Sequence, residues 1–285
     1  MAVYPAEVRI REVGPRDGFQ NEPEVIPTEE KVRLIGMLAD AGLKRIEVTS
    51  FVRADVIPQL ADGAAVLDAL ERRDRFDEIS VFLSASETHN RKNVNRSIAD
   101  SLEGLMKVLG RAHEAGLRCE GVIATSFGCP YEGEVPRDRV LEIAERLRES
   151  GCQEIGFGDT TGMANPRQVA EFYEHARDRL DGVELTAHFH NTRGQGLANA
   201  LAALGEGVTS FESSFGELGG CPVPPGSTGN VSSEDLVSMF HEMGIETGVD
   251  LDALLAASRS VQEVLGRPLG AHLLTAGPVD WHAGG

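Results

Sequence analysis

Two histidines one residue apart, His188 and His190, lie in the stretch of residues 184–191, ELTAHFHN. The stretch begins apolar and ends polar, which predicts a short strand whose last residues leave a sheet. Strand side chains alternate faces with period two, so both imidazoles point one way while Phe189 packs behind them. Side by side, two imidazoles can hold a metal ion. The plainer alternative is a strand end whose histidines are satisfied by hydrogen bonds. What the rest of the chain brings to the same place decides between the two.

The elements that would position this pair alternate regularly. Strands are predicted at residues 8–13, 45–51, 78–86, 118–127, 154–160, 184–191 and 210–215. Helices are predicted at 28–41, 58–72, 97–115, 136–150, 166–180, 194–204 and 232–243. Many helices open with Ser, Thr or Pro and close with Gly; Thr28, for instance, reads as an N-cap and Gly42 as a stop. Such alternation with short connections is the mark of parallel βα units in one domain, residues 1–285, with a C-terminal helical extension. Polar residues gather at the strand C-terminal ends: Arg16 and Asp17, Glu47 and Thr49, Ser84 and Ser86, Thr125, Asp159, the two histidines, Glu212 and Ser214. A TIM-type (β/α) barrel places all those ends on one face, where its active site forms. A doubly wound open sheet is the rival, but no GxGxxG follows the first strand.

Only seven strands are found where such a barrel has eight. Helix 58–72 runs almost directly into the strand that begins at Glu78, so one βα unit is missing before Glu78. Either the barrel contracts to seven strands, or about one unit's worth of residues is omitted between Arg72 and Glu78. Unpaired strand edges are costly, which favours omission.

Composition narrows the partners. With 27 Lys and Arg against 45 Asp and Glu, the formal net charge of the 285 residues is −18. That disfavours nucleic acid and anionic membrane, and a phosphate-bearing ligand would need a local cationic patch. Four cysteines, Cys119, Cys129, Cys152 and Cys221, show no CxxC spacing, and no secretory leader is evident. A reduced, cytoplasmic setting is expected. Apolar runs fall far short of a membrane span.

At residues 14–22, GPRDGFQNE, the chain resembles the 3-hydroxy-3-methylglutaryl-CoA lyase family, within the wider group of metal-dependent barrel lyases and acyl-CoA condensing enzymes. The likeness continues through residues 46–51, Lys92 and Asn93, residues 128–133, 158–160 and 188–190. Residues 219–222, Gly229 and Asn230, 234–236 and 247–249 extend it over nearly the whole chain, in order. Two departures stand out. The family carries an extra strand–helix pair before Glu78, and Asn191 stands where the lyases usually have Asp, as in the condensing relatives.

The resemblance implies that Asp17, His188, His190 and Asn230 ligate a divalent metal. A mixed nitrogen and oxygen set without thiolate suits Mg²⁺ or Mn²⁺ better than zinc. Taken singly, Asp17 could be a capping residue and Asn230 a turn former. Arg16 can hold a thioester oxygen that becomes an enolate, with Gln20 supporting the site from behind. Glu47 and Asp159, at strand ends, could orient a histidine or carry a proton; as plain structure they would be buried, paired carboxylates. Residues 216–230 are rich in Gly and Pro, as lids at barrel mouths are. The match makes Cys221 the thiol such a lid brings to the substrate, against the alternative of a small loop-filling residue. The other three cysteines read as structural. Arg91 and Lys92 follow a strand and would grip a CoA phosphate, or else form a solvated charge pair.

The implied reaction is cleavage of a 3-hydroxy-3-methylglutaryl-CoA-like thioester to acetyl-CoA and a β-keto acid, with His188, or an aspartate acting through it, as base. A longer isoprenoid-branched substrate would use the same machinery. The alternatives are an isopropylmalate-synthase-like condensing enzyme, whose further C-terminal region is not seen here, and an inactive metal-binding barrel. A biotin-type carboxyl transferase would need a strand-end lysine, and none is found. The family implies a homodimer.

Overall fold

The computed structural model describes residues 4–70, 76–220 and 229–281. Strand β1 (Arg9–Glu12) leads through a wide helical turn at Gly14–Gly18 to helix α1 (Thr28–Asp40). Then follow β2 (Arg45–Ile46), α2 (Gly63–Ala69), β3 (Glu78–Ser84), α3 (Glu87–Val94), α4 (Ile98–Glu114) and β4 (Arg118–Ala124). Next are α5 (Arg137–Glu149), β5 (Glu154–Asp159), α6 (Pro166–Arg179), β6 (Glu184–Phe189), α7 (Gly196–Gly205) and β7 (Ser210–Ser213). Helices α8 (Ser233–Glu242), α9 (Leu251–Leu265) and α10 (His272–Ala276) complete the described chain. Every ladder is parallel, and the seven strands lie in the order β2-β1-β7-β6-β5-β4-β3. The sheet curls as a TIM barrel does, with one strand position open.

That opening lies between β2 and β3, which pair with no further strand among the described residues. The contraction to a closed seven-stranded barrel is therefore not adopted. Side chains reach across the seam instead. Arg45 on β2 holds Glu78 on β3, with Nη2 2.9 Å from Oε1 and 3.0 Å from Oε2. With no strand beyond it, β2 keeps only two residues in its ladder, where residues 45–51 were expected, although the Glu47 amide still donates to the Glu12 carbonyl at 2.8 Å.

The two faces of the strands are filled differently. Outward residues such as Ile10, Val81, Leu83, Ile123, Ile155, Phe157, Ala187 and Phe211 are buried beneath the helices. Inside, the barrel floor is ionic rather than apolar. Buried Arg11 donates to Glu120, to Glu212 at 2.9 Å, to Glu78 at 2.6 Å and to Glu154 at 3.1 Å. Glu120 and Glu154 are fully buried, and Arg45 and Arg118 also reach Glu154. The buried Arg11 charge is thus met by four carboxylates, the pairing that a buried charge requires.

Helix starts follow their capping residues. Ser86, Ser97, Asn165, Ser232 and Asp250 each accept the amide three residues on, in the first turn of α3, α4, α6, α8 and α9. Thr28 is not the N-cap it was expected to be. It is the first residue of α1, after Pro27, and its hydroxyl donates to Asp62 Oδ2 at 2.7 Å. The helix expected at 58–72 divides into a short turn at Pro58–Leu60 and α2; residues 71 and 72 lie outside the described chain. Helix α3 was not foreseen, because it is polar apart from Val94 and offers no apolar period to read. Among the described residues no helix is long and apolar enough to cross a membrane.

Candidate active site

The turn after β1 delivers two adjacent side chains to the barrel mouth. Arg16 and Asp17 sit in the wide turn Gly14–Gly18, whose base is pinned by Glu12. The buried Glu12 carboxylate accepts from the Gly14 amide at 2.7 Å, the Phe215 amide at 3.0 Å and the Ser233 hydroxyl at 2.6 Å. Glu234 holds the adjoining turn in the same way, accepting the Gly216 amide at 2.8 Å and the Ser258 hydroxyl. These two acids, to which the sequence assigned no role, fix the frame on which the site stands.

Asp17 is the hub. Its Oδ1 accepts from Arg16 Nη1 at 3.1 Å and Gln20 Nε2 at 2.9 Å, while Oδ2 accepts from Asn230 Nδ2 at 2.7 Å. Burial pushes its pKa up, but Arg16, then His188, His190 and Asn230, outweigh that and hold it below the usual carboxylate range. Gly219, at φ +92°, lies against this corner; a Cβ there would meet Asn230 Nδ2 at 2.7 Å and Asp17 Oδ2 at 3.0 Å. Backbone sign and space both demand glycine.

The histidines emerge from β6 on one side, as the period-two reading expected. Their Nε2 atoms lie 3.1 Å apart, and Phe189 is buried behind them against Phe127, with ring centres 5.7 Å apart. Ligand atoms of Asp17, His188 and His190 all lie within 4.8 Å of one another. Asn230 is drawn in by the backbone, bridging to His190, while the Val231 amide donates to the Phe189 carbonyl at 2.9 Å. Its Nδ2 is spent on Asp17 and on the Leu218 carbonyl at 3.1 Å, and its buried Oδ1 has no partner among the described residues. A buried carbonyl oxygen left open beside two imidazoles and a carboxylate fits a hard divalent cation. All four expected ligands come together.

His188 has its other ring nitrogen engaged, with Nδ1 2.8 Å from Glu212 Oε2. Burial alone would depress its pKa, but Glu212 overrides this and holds it above the usual imidazole value. Glu212 itself, despite burial, is brought down to about 2 by His188 and Arg11. With Nδ1 donated, Nε2 can ligate or take a proton but not both.

Around this cluster stand the expected catalytic groups. Arg16 Nε pairs with Glu47 Oε2 at 2.8 Å, and its guanidinium lies 4.6 Å from the Phe82 ring centre. Burial opposes the Arg16 charge, yet Glu47 and Asp17 hold its pKa above the usual value. Glu47 is raised by burial, which Arg16 only partly offsets. Asp159 accepts the Met163 amide at 2.7 Å and the Ala164 amide at 3.1 Å through Oδ1. Its Oδ2 is buried without a partner among the described residues, and burial pushes the carboxyl up to about 7. Nothing in the sequence marked Phe82, which faces the barrel interior yet is 40% exposed at the seam.

Other expected residues are placed less directly. Cys221 lies outside the described residues, between Gly220 and Gly229. Arg91 pairs with Glu87 at 2.7 Å on α3, while Lys92 lies 4.9 Å from the Tyr131 ring centre. Cys119, Cys129 and Cys152 are buried and free of disulfides, in keeping with structural roles. Asn191 accepts the Gly196 amide at 3.3 Å at the start of α7, a local turn contact.

Residues 7–261 match the HMGL-like family model. A hydroxymethylglutaryl-CoA lyase of Bacillus subtilis is 44% identical over 93% of this chain and 96% of its own. The chain belongs to the hydroxymethylglutaryl-CoA lyase family. A crystal structure of the B. subtilis HMG-CoA lyase superposes with a TM-score of 0.92 at 43% identity, covering 96% of this chain and 98% of that one. An HMG-CoA lyase from Acinetobacter baumannii, solved with coenzyme A and 3-methylmalate, gives 0.90 at 38% identity over 98% and 97%. The enzyme is thus a carbon–carbon lyase of a divalent-metal-dependent family acting on acyl-CoA substrates, and Asn191 does not place it among the condensing enzymes.

Proposed function

We propose that this enzyme cleaves 3-hydroxy-3-methylglutaryl-CoA to acetyl-CoA and acetoacetate, as one catalytic domain with α9 and α10 as its C-terminal extension. The observation that carries the reading is the contact of Arg16 with Asp17, which seats an enolate-stabilising cation beside the four-ligand cluster.

A divalent cation, Mg²⁺ or Mn²⁺, held by Asp17, His188, His190 and Asn230 would supply Lewis acidity to the substrate hydroxyl. Asp159, with one oxygen uncommitted and a pKa near neutrality, takes the C3 hydroxyl proton. His188 suits that task less, since its free nitrogen faces the ligand cluster. As the C3 oxygen becomes a ketone, the C2–C3 bond breaks and its electron pair enters the thioester as an enolate. Arg16, oriented through Nε by Glu47 and through Nη1 by Asp17, offers Nη2 to the enolate oxygen. Cys221 returns a proton to C2, giving acetyl-CoA. Gly219, two residues before it, lies against Asp17 and Asn230. Arg91 and Lys92, on the helix that follows β3, grip the CoA phosphates. A homodimer in the cytoplasm completes the reading.

The test is acetyl-CoA release from a panel of 3-hydroxyacyl-CoA thioesters, with EDTA and with added Mg²⁺ or Mn²⁺. Metal-dependent turnover of the methylglutaryl thioester is expected. No release from any member of the panel, in protein loaded with metal, would sink the assignment.

A further inference from the structure

Glu212 belongs to neither the ligand set nor the groups that meet substrate, yet it is buried and held from two sides. It sits on β7 directly opposite His188 on β6 and Arg11 on β1, so three neighbouring strands bring the three side chains to one level. The carboxylate is buried and divided between two partners. Oε1 accepts from Arg11 Nη1 at 2.9 Å, and Oε2 lies 2.8 Å from His188 Nδ1. Arg11 cannot swing away, because Glu78, Glu120 and Glu154 hold it as well.

From this geometry we infer that Glu212 is the positioning residue of the metal centre, setting the tautomer and ring angle of His188 so that Nε2 faces the ion. A carboxylate can only accept, so His188 Nδ1 is the donor of this bond and its proton is kept there. The ring then turns Nε2 towards His190 Nε2, 3.1 Å away, as an unprotonated nitrogen whose lone pair can accept or ligate. A ligating imidazole whose second nitrogen donates to a fixed carboxylate is both better oriented and more basic. The inference rests on the proposed metal centre but not on the identity of the substrate. Glu212 acts only through His188, and that is the property to test.

The experiment is a double-mutant cycle on Mn²⁺ affinity, measured by calorimetry on metal-stripped protein, without substrate. Glu212→Ala is expected to weaken Mn²⁺ binding about 10- to 100-fold, the range typical for such supporting residues. Glu212→Gln, whose amide oxygen still accepts from Nδ1, is expected to recover part of the loss. In the His188→Ala background, Glu212→Ala should add nothing, because the side chain it orients is gone. Binding within threefold of the parent for Glu212→Ala, or an equal further loss in the His188→Ala background, would overturn the inference. Should Glu212→Ala not fold, long-range ¹H–¹⁵N spectra of the metal-free parent decide instead. A proton on His188 Nδ1 supports the assignment, and a proton on Nε2 alone refutes it. A parent that binds no Mn²⁺ brings down this inference together with the metal centre. One that binds Mn²⁺ but cleaves no thioester brings down only the lyase reading.

Discussion

Arg45 and Glu78 face each other across the one opening in the sheet, Nη2 to Oε1 at 2.9 Å, and join strands that share no backbone ladder. Both are about four-fifths buried, at 20% and 21% side-chain exposure, and both also bind the floor network through Glu154 and Arg11. The contact substitutes side-chain charge for the missing strand. Arg45→Met should therefore lower unfolding free energy by about 1.5–3 kcal/mol, the range for hydrogen bonds to charged groups. Urea unfolding checks this, and a midpoint equal to the parent's would show that the seam does not depend on the pair.

His190→Ala removes one of four proposed ligands while leaving the Asp17–Asn230 contact in place. Chelation should abolish activity in the parent, and Mg²⁺ or Mn²⁺ should restore it. In the variant, metal affinity should fall at least tenfold. Unchanged turnover of the variant at limiting metal would count decisively against ligation by His190.

Arg16 separates a lyase from a passive metal binder. If its benefit arises as charge grows on the thioester oxygen, its loss lowers kcat and kcat/KM together and leaves KM nearly alone. Removal of one such preorganised donor costs about 10²–10³ in kcat. Arg16→Met should show that loss with normal metal content. Arg16→Lys keeps charge but not the fork that meets Glu47 and Asp17 at once, and should recover only part of the rate. A rate for Arg16→Met within threefold of the parent refutes the role. Loss of bound metal instead would make Arg16 a prop for Asp17.

Asp159 gives the pH prediction. Burial raises its pKa to about 7 in the folded protein, against about 3.9 unfolded. Between those values the folded state keeps a proton that the unfolded chain has lost. Its contribution to stability is thus whole below about pH 4, declines as pH rises and is exhausted above about pH 7. Asp159→Asn cannot titrate, and its amide oxygen can still accept the Met163 and Ala164 amides. The variant should gain on the parent by up to about 1.4 kcal/mol per pH unit across the window and level off above it. Parallel stability curves for the two proteins would exclude the raised pKa. Turnover of the variant should fall about 10²–10⁴-fold if this carboxylate is the base.

Local rules made part of this protein readable without a structure. Period two alone put His188 and His190 on one side and Phe189 in the core, because alternation is a property of a single strand. Ser97 and Ser232 announced α4 and α8, because a cap bonds amides three residues away. The ligand set and Arg16 came from motif likeness over the whole length. What tertiary structure decided is whatever depends on strand register. Glu212 meets His188 across 24 residues and Arg11 across 201, and no local pattern encodes such a pairing. The ionic barrel floor escaped notice for the same reason: Arg11 and its glutamates look like solvated charges until curling of the sheet brings them together. Strand β2 shortened because a strand persists only where it has partners, and its far side is vacant among the described residues. That same vacancy leaves Phe82 half-open beside Arg16, a placement that neither residue's neighbours in sequence could express.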